Sequence, residues 1–221
     1  MSNPSDHGPA ARIGVLGGTF DPIHIGHLVI AEAARLELGL QKVLFVPAKA
    51  QPFKLDRPTT PAAHRLTMVR LATASNDAFA VSTVETDREP PSYTADTLRL
   101  LAESEVGAAG AGDQAIYFVC GADALLDLEH WYRPDEILRL ATIAVARRPG
   151  CGDDAAQDAA AHRLMERFGG RVVFFAAPRL DISSTEVRER IAGGQAVRYL
   201  VPDPVLAYAA EHHLYGAGMA R

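Results

Sequence analysis

A short apolar run that gives way to paired glycines and then paired histidines limits this chain more than any other stretch. The segment reads Arg12-Ile13-Gly14-Val15-Leu16-Gly17-Gly18-Thr19-Phe20-Asp21-Pro22-Ile23-His24-Ile25-Gly26-His27-Leu28. Ile13, Val15 and Leu16 have the pattern of a buried strand. Gly17-Gly18 permits positive φ and close backbone approach, and an apolar helix is expected from about Gly26. The first turn of such a helix offers free N–H groups and a positive dipole end, which suits a phosphate. His24 and His27 can donate to phosphate oxygens there, and Gly26 between them leaves room for a ligand on the backbone. A tight turn with two surface histidines would explain either imidazole alone. It does not explain glycines, helix start and a histidine pair together.

Downstream, strand and helix patterns alternate. Buried strands are expected at 42–46, 79–85, 115–120, 142–146 and 171–176. Helices are expected at 26–38, with Gly39 as the stop, from a Thr60-Pro61 cap to 75, at 94–105, from Asp123 toward Trp131, and at 134–140. After a polar loop over 151–158, another helix ends before Gly169-Gly170, and two more close the chain at 183–192 and 204–214. Residues 1–11 read as a disordered tail. With no internal repeat and no linker, 12–221 reads as a single domain. Its expected class is α/β, a doubly wound and mostly parallel sheet with a small C-terminal helical extension. Ligands bind such sheets outside the carboxyl ends of the strands, so 17–18, 47–54, 82–86, 121–123, Arg147 and 181–184 should line one rim.

Composition narrows the chemistry. The 221 residues carry a net charge of −5, and the pI is near 5.9, which disfavours a broad nucleic-acid face. Any phosphate chemistry must use a focused positive pocket. Cys120 and Cys151 are too few for a disulfide framework and lack metal-ligand spacing. Cys120, inside an apolar strand, reads as an inert core thiol. No run approaches the roughly 20 apolar residues of a membrane span, and the amino terminus lacks an apolar secretory core. The expected compartment is the cytoplasm, and a homo-oligomer stays open.

Further motifs sharpen the picture. Ile182-Ser183-Ser184-Thr185-Glu186-Val187-Arg188 is a helix start whose N–H groups and hydroxyls can hold phosphates, though Ser183 with Glu186 is also a plain capping box. With Gly17-Gly18-Thr19-Phe20-Asp21-Pro22 and His24-x-Gly26-His27, it resembles the nucleotidyltransferase superfamily with the HxGH motif. Two more stretches, Ser92-Tyr93-Thr94-Ala95-Asp96-Thr97-Leu98 and Gly121-Ala122-Asp123 with Trp131 beyond, narrow the match. The ordered set resembles the bacterial nicotinate-nucleotide adenylyltransferase family from about Arg12 to Tyr215. Phosphopantetheine adenylyltransferases share the first motif but lack the Ser92-to-Thr97 and Trp131 features, and glycerol-phosphate cytidylyltransferases are set aside likewise. A nucleotide-sensing module without turnover is the alternative from another class.

The resemblance implies adenylyl transfer from ATP to nicotinate mononucleotide, by direct in-line attack. It places His24, His27, Lys54 and Arg188 in catalysis. Gly17, Gly18, Thr19, Phe20, Gly26, Gly121, Asp123, Arg147, Ile182, Ser183 and Ser184 are expected at ATP. Thr94, Trp131 and Tyr132 are expected at the nicotinate. Mg²⁺ is expected to bind mainly through ATP phosphates, so no residue is assigned as a metal ligand. One departure stands out. The family usually has histidine before the lysine of the 48–60 loop, and here Phe53 precedes Lys54, with Lys49 as a nearby substitute.

Overall fold

A computed structural model describes residues 12–49, 59–106, 116–147 and 153–216. The expected tail over 1–11, the 107–113 connector, Phe53, Lys54, Arg148 and Cys151 lie outside these residues. Six strands form one parallel sheet in the order β3-β2-β1-β4-β5-β6. They are β1 (Ile13–Gly18), β2 (Lys42–Pro47), β3 (Phe79–Val81), β4 (Ile116–Gly121), β5 (Thr142–Arg147) and β6 (Arg171–Ala176). The helices are α1 (Ile25–Glu37), α2 (Ala62–Thr73), α3 (Thr94–Leu101), α4 (Ala122–Asp127), α5 (Pro134–Leu140), α6 (Asp154–Phe168), α7 (Ser184–Ala192) and α8 (Asp203–Glu211). The strand order reverses between β1 and β4, where a doubly wound sheet opens a crevice for ligands.

Alternation along the strands builds two cores. Leu16, Val43, Phe45, Tyr117 and Ala144 face α1, α2, α7 and α8. Val15, Leu44, Val46, Phe118, Ile143 and Val145 face α3 to α6. Both faces are covered, which is why the strands read as continuous apolar runs rather than alternating ones. Cys120 is buried in the second core, and burial pushes its thiol up to about 12, so it stays an inert thiol.

Several boundaries differ from expectation for local reasons. β1 runs through Gly18, and the positive φ falls instead on Phe20, at 50°. Gly18 is required for close approach, since a Cβ there would lie 3.0 Å from the buried Phe20 ring. The third strand stops at Val81 rather than 85. The Thr83 hydroxyl donates to Asp87 at 2.7 Å and the Asp87 N–H returns to the Thr83 carbonyl, winding 83–87 into turns. α2 begins after Pro61 with no side-chain cap, so Thr60 does not cap it. α3 gives way at Ala102 to a π-helical turn, Ala102–Val106. α6 starts four residues before the expected loop ends, because Asp153 accepts the Ala156 N–H at 3.0 Å and caps it. α8 ends at Glu211 rather than 214.

One buried cation ties the rim together. Arg65, on α2, is 1% exposed and donates to three backbone carbonyls: Thr60 (2.8 Å), Thr19 (2.6 Å) and Lys49 (3.1 Å). Burial pulls its pKa down, and nearby Asp21 opposes that shift. Arg65→Met leaves the three carbonyls without their donor and is expected to cost about 3–5 kcal/mol. Arg65→Lys keeps the charge but not the planar fork, and is expected to cost about 1–3 kcal/mol. Urea unfolding measures both, and wild-type stability in either variant contradicts the clamp.

Candidate active site

Two depressions open at the carboxyl edge of the sheet and share Gly18. The larger, about 570 Å³, is walled by Thr19, Phe20, Asp21, His24, Gly26 and His27 on one side. Asp123, Ile182, Ser183, Ser184 and Arg188 complete it. The smaller, about 90 Å³, is lined by Gly17, Glu85, Ser92, Thr94, Thr97, Phe118 and Trp131 among others. Residues from five separate stretches of sequence therefore meet around one strand end.

The histidine pair has a defined arrangement. His24 is the N-cap of α1, and its backbone N–H donates to His27 Nδ1 at 3.2 Å. The rings stack with centroids 3.7 Å apart, and the edge of Phe20 meets His27 at 5.0 Å. Because Nδ1 accepts, the proton of a neutral His27 sits on Nε2. Burial, and then the neighbouring His24, lower the His27 pKa from 6.5 to about 3, so the ring is neutral at ordinary pH. Gly26 admits the His24 ring, since a Cβ there would lie 3.0 Å from its Nδ1. The space expected for a ligand beside Gly26 is thus partly occupied by an imidazole, although Gly26 still borders the cleft.

The second wall is fastened to the first. The Ser184 hydroxyl donates to the Pro22 carbonyl (2.9 Å), and Arg188 donates to the Asp21 carbonyl (2.7 Å) and the Thr185 hydroxyl (3.3 Å). Ser183 accepts the Glu186 N–H at 3.1 Å, so it caps α7. Glu186 does not complete a capping box, because its carboxylate turns to Arg190 at 2.8 Å. With these hydroxyls engaged and the Glu186 N–H taken by Ser183, the N–H groups of Ser184 and Thr185 are the first-turn donors of α7 left for a ligand. Thr19 borders the same cleft, and its Oγ1 is buried without a hydrogen-bond partner among the described residues.

The smaller depression begins at the N-terminus of α3, at Thr94. Trp131 forms part of its wall and meets Phe118 edge-on, ring centroids 6.1 Å apart. It is half-buried, packing on the core while reaching the pocket. Tyr132 is 50% exposed and stacks near Tyr93 (4.5 Å), outside the pocket wall. Arg147 also lies outside both depressions, over the Phe174 ring (3.6 Å) and paired with Asp158. Gly121 caps α4 beside Asp123 without bordering either depression.

Sequence reasoning gave no role to four polar residues here, although 82–86 was expected on the rim. Arg65 and Asp21 are buried and hold the rim by hydrogen bonds. Tyr215 donates to Asp21 at 2.8 Å from 194 residues away. Glu85, buried and expected on a strand, lines the smaller pocket and accepts the Thr97 hydroxyl at 2.7 Å. Burial pushes its carboxyl pKa up. A lone acid at the end of an apolar run was the one available signal for Glu85. Among the described residues no three of His, Cys, Asp or Glu gather to hold a metal ion.

Known proteins share this plan. A cytidylyltransferase-like family model matches residues 15–190. A relative from Roseiflexus sp. (strain RS-1), named "Probable nicotinate-nucleotide adenylyltransferase", is 47% identical over 206 residues, spanning 93% of this chain and 98% of its own. One of the same name from Thermoanaerobacter sp. (strain X514) is 42% identical, spanning 92% and 94%. A solved structure of nicotinic acid mononucleotide adenylyltransferase from Plasmodium falciparum, complexed with NaAD, superposes with a TM-score of 0.71. At 18% identity, covering 93% of this chain and 97% of that one, it supports the fold alone. The family match, the near full-length relatives and the paired depressions lead to one conclusion: this chain belongs to the nicotinate-nucleotide adenylyltransferase family.

Proposed function

We propose that this protein transfers the adenylyl group of ATP to nicotinate mononucleotide, giving nicotinate adenine dinucleotide and pyrophosphate. The observation that carries this reading is the pairing of a large cleft, under stacked histidines and two helix N-termini, with a small aromatic-walled pocket across Gly18. We assign the large cleft to ATP and the small pocket to the nicotinate ring. The acceptor's phosphate oxygen forms a bond to the α-phosphorus while the bond to the β-phosphate oxygen breaks. That nucleophile is already an anion, so the site needs no general base. Its tasks are alignment and stabilisation of the charge that spreads to the leaving group.

The residues divide accordingly. His27, neutral and with its proton on Nε2, serves as a hydrogen-bond donor to phosphate rather than as a cation. Arg188 carries five N–H donors, of which two are engaged in the bonds described, and we assign it to the β- and γ-phosphates with the first turn of α7. His24 and Lys54 keep their assignment to ATP phosphates, Lys54 from outside the described residues. Asp123 is assigned to the ATP ribose. A Mg²⁺ ion would be held mainly by the ATP phosphates, with Asp123 as the exposed carboxylate of the wall nearest to hand. When bound, the ion neutralises phosphate charge. ATP as substrate and the scarcity of cysteine support a cytoplasmic setting, and no described helix is long and apolar enough to cross a membrane.

The carboxylate preference rests on α3. Its first-turn N–H groups at Thr94 are donors without intrahelical partners. They suit the two oxygens of nicotinate, whereas the NH₂ of nicotinamide would face donors and leave them unpaired. Purified protein with ATP, Mg²⁺ and either mononucleotide, followed by pyrophosphate release, tests this. We expect kcat/KM to favour the nicotinate compound. Equal or better use of the amide removes the preference, and turnover of neither removes the reaction.

The two depressions are separable by mutation. Trp131→Ala is expected to weaken nicotinate mononucleotide by roughly 5- to 150-fold and to leave ATP nearly unchanged, the scale of one base–aromatic stack. Arg188→Ala is expected to do the reverse. Equilibrium titration of each ligand checks both variants. Equal losses for both ligands, with a lower melting temperature, would make Trp131 a packing residue.

His27 also predicts a pH effect on stability. The unfolded chain takes up a proton at this ring near pH 6.5, and the folded chain refuses it until about pH 3. Stability tied to neutral His27 is therefore complete above about 6.5 and is lost as pH falls toward 3. His27→Gln lacks this loss, so the stability of wild type relative to the variant should shrink across that window in urea titrations. A difference that is constant with pH contradicts the assignment.

A further inference from the structure

We propose that Tyr215, which borders neither depression but touches the cleft residue Asp21, is a positioning residue for ATP that acts through Asp21 on Arg188. It rests on the reading above that Arg188 meets ATP. Tyr215 lies beyond α8, and its hydroxyl donates to Asp21 Oδ1 at 2.8 Å. The other carboxylate oxygen accepts the Thr60 N–H at 3.1 Å. The carbonyl of the same residue accepts Arg188 Nη1 at 2.7 Å. Asp21 is 4% exposed, so its two described partners are not readily replaced by water. Arg188 and Thr59, the neighbour of Thr60, both border the larger cleft, and Tyr215 does not. A bond made by the phenol therefore governs the peptide on which the guanidinium is docked.

Two further observations support a built contact. His213 and Tyr215 both hold positive φ, 50° and 67°, a region that side-chain-bearing residues enter at a cost. That bend brings the phenol over Asp21. Burial and the adjacent carboxylate push the phenol's pKa up, which keeps the hydroxyl protonated as a donor.

Tyr215→Phe removes one hydroxyl and keeps the ring. Calorimetric titration of ATP alone and of nicotinate mononucleotide alone reads the result. ATP should bind about 2- to 30-fold more weakly, the range of a coupling carried through intermediate residues, with the mononucleotide unchanged. In an Arg188→Ala background the same change should add little, because the contact it positions is already gone. The proposal is overturned if Tyr215→Phe leaves ATP affinity intact, weakens both ligands alike, or adds fully to Arg188→Ala. Should Arg188→Ala itself leave ATP unaffected, the Arg188 reading fails and the proposal with it. If only Arg188→Ala weakens ATP, Tyr215 alone is excluded.

Discussion

A buried guanidinium is the constraint on which this rim depends. Arg65 brings the turn after β1 and the stretches at 49 and 60 to one point, using carbonyls that no sheet or helix ladder satisfies. Each is a part-buried acceptor without a ladder partner, and a fork of five donors is among the few side chains that can serve three at once. Asp21 supplies opposing charge nearby and is itself held by Thr60 and Tyr215. Charge balance and backbone satisfaction are achieved by the same few atoms, so the cleft rests on a rigid polar knot beneath its floor.

The same logic explains the division of labour among the hydroxyls. Ser183 and Ser184 spend theirs on capping α7 and on fastening it to Pro22. The wall they build then offers backbone donors to an anion, and these need no reorganisation when charge moves during reaction. His27 follows suit: a backbone N–H fixes its acceptor nitrogen, and the remaining N–H becomes a donor of set direction.

How much of this was legible in the sequence depends on range. The β1 turn and α1 were readable because strand, glycines and helix start lie within sixteen residues, and the parallel sheet followed from apolar runs of strand length. The cleft's histidines, Asp123, the 182–184 stretch and Arg188 were found through motifs whose spacing is local. What could not be read were bonds between distant residues, such as Arg65 with Thr19 and Tyr215 with Asp21, because neither partner has a local pattern. Glu85 fell within the expected rim stretch 82–86, but its role went unread for a different reason. The apolar run before it suggested a strand, whereas Thr83 and Asp87 close a turn upon themselves. Arg147 was placed on the rim from its strand end, but Phe174 and Asp158 draw its side chain away.

Gly18 is the shared boundary of the two depressions, and it has no side chain with which to adjust either one. Behind it the Phe20 ring fills the space a Cβ would need, and Phe20 is enclosed by core. On the assignment proposed above, the partition between donor and acceptor is one backbone thick, and a side chain there would have to displace the Phe20 ring. Divergence in the choice of acceptor must proceed at the outer walls, among Ser92, Thr94 and Trp131, where side chains can be exchanged without moving the partition. In a lineage built on this turn, substrate range can drift while the distance between the two reacting groups stays inherited.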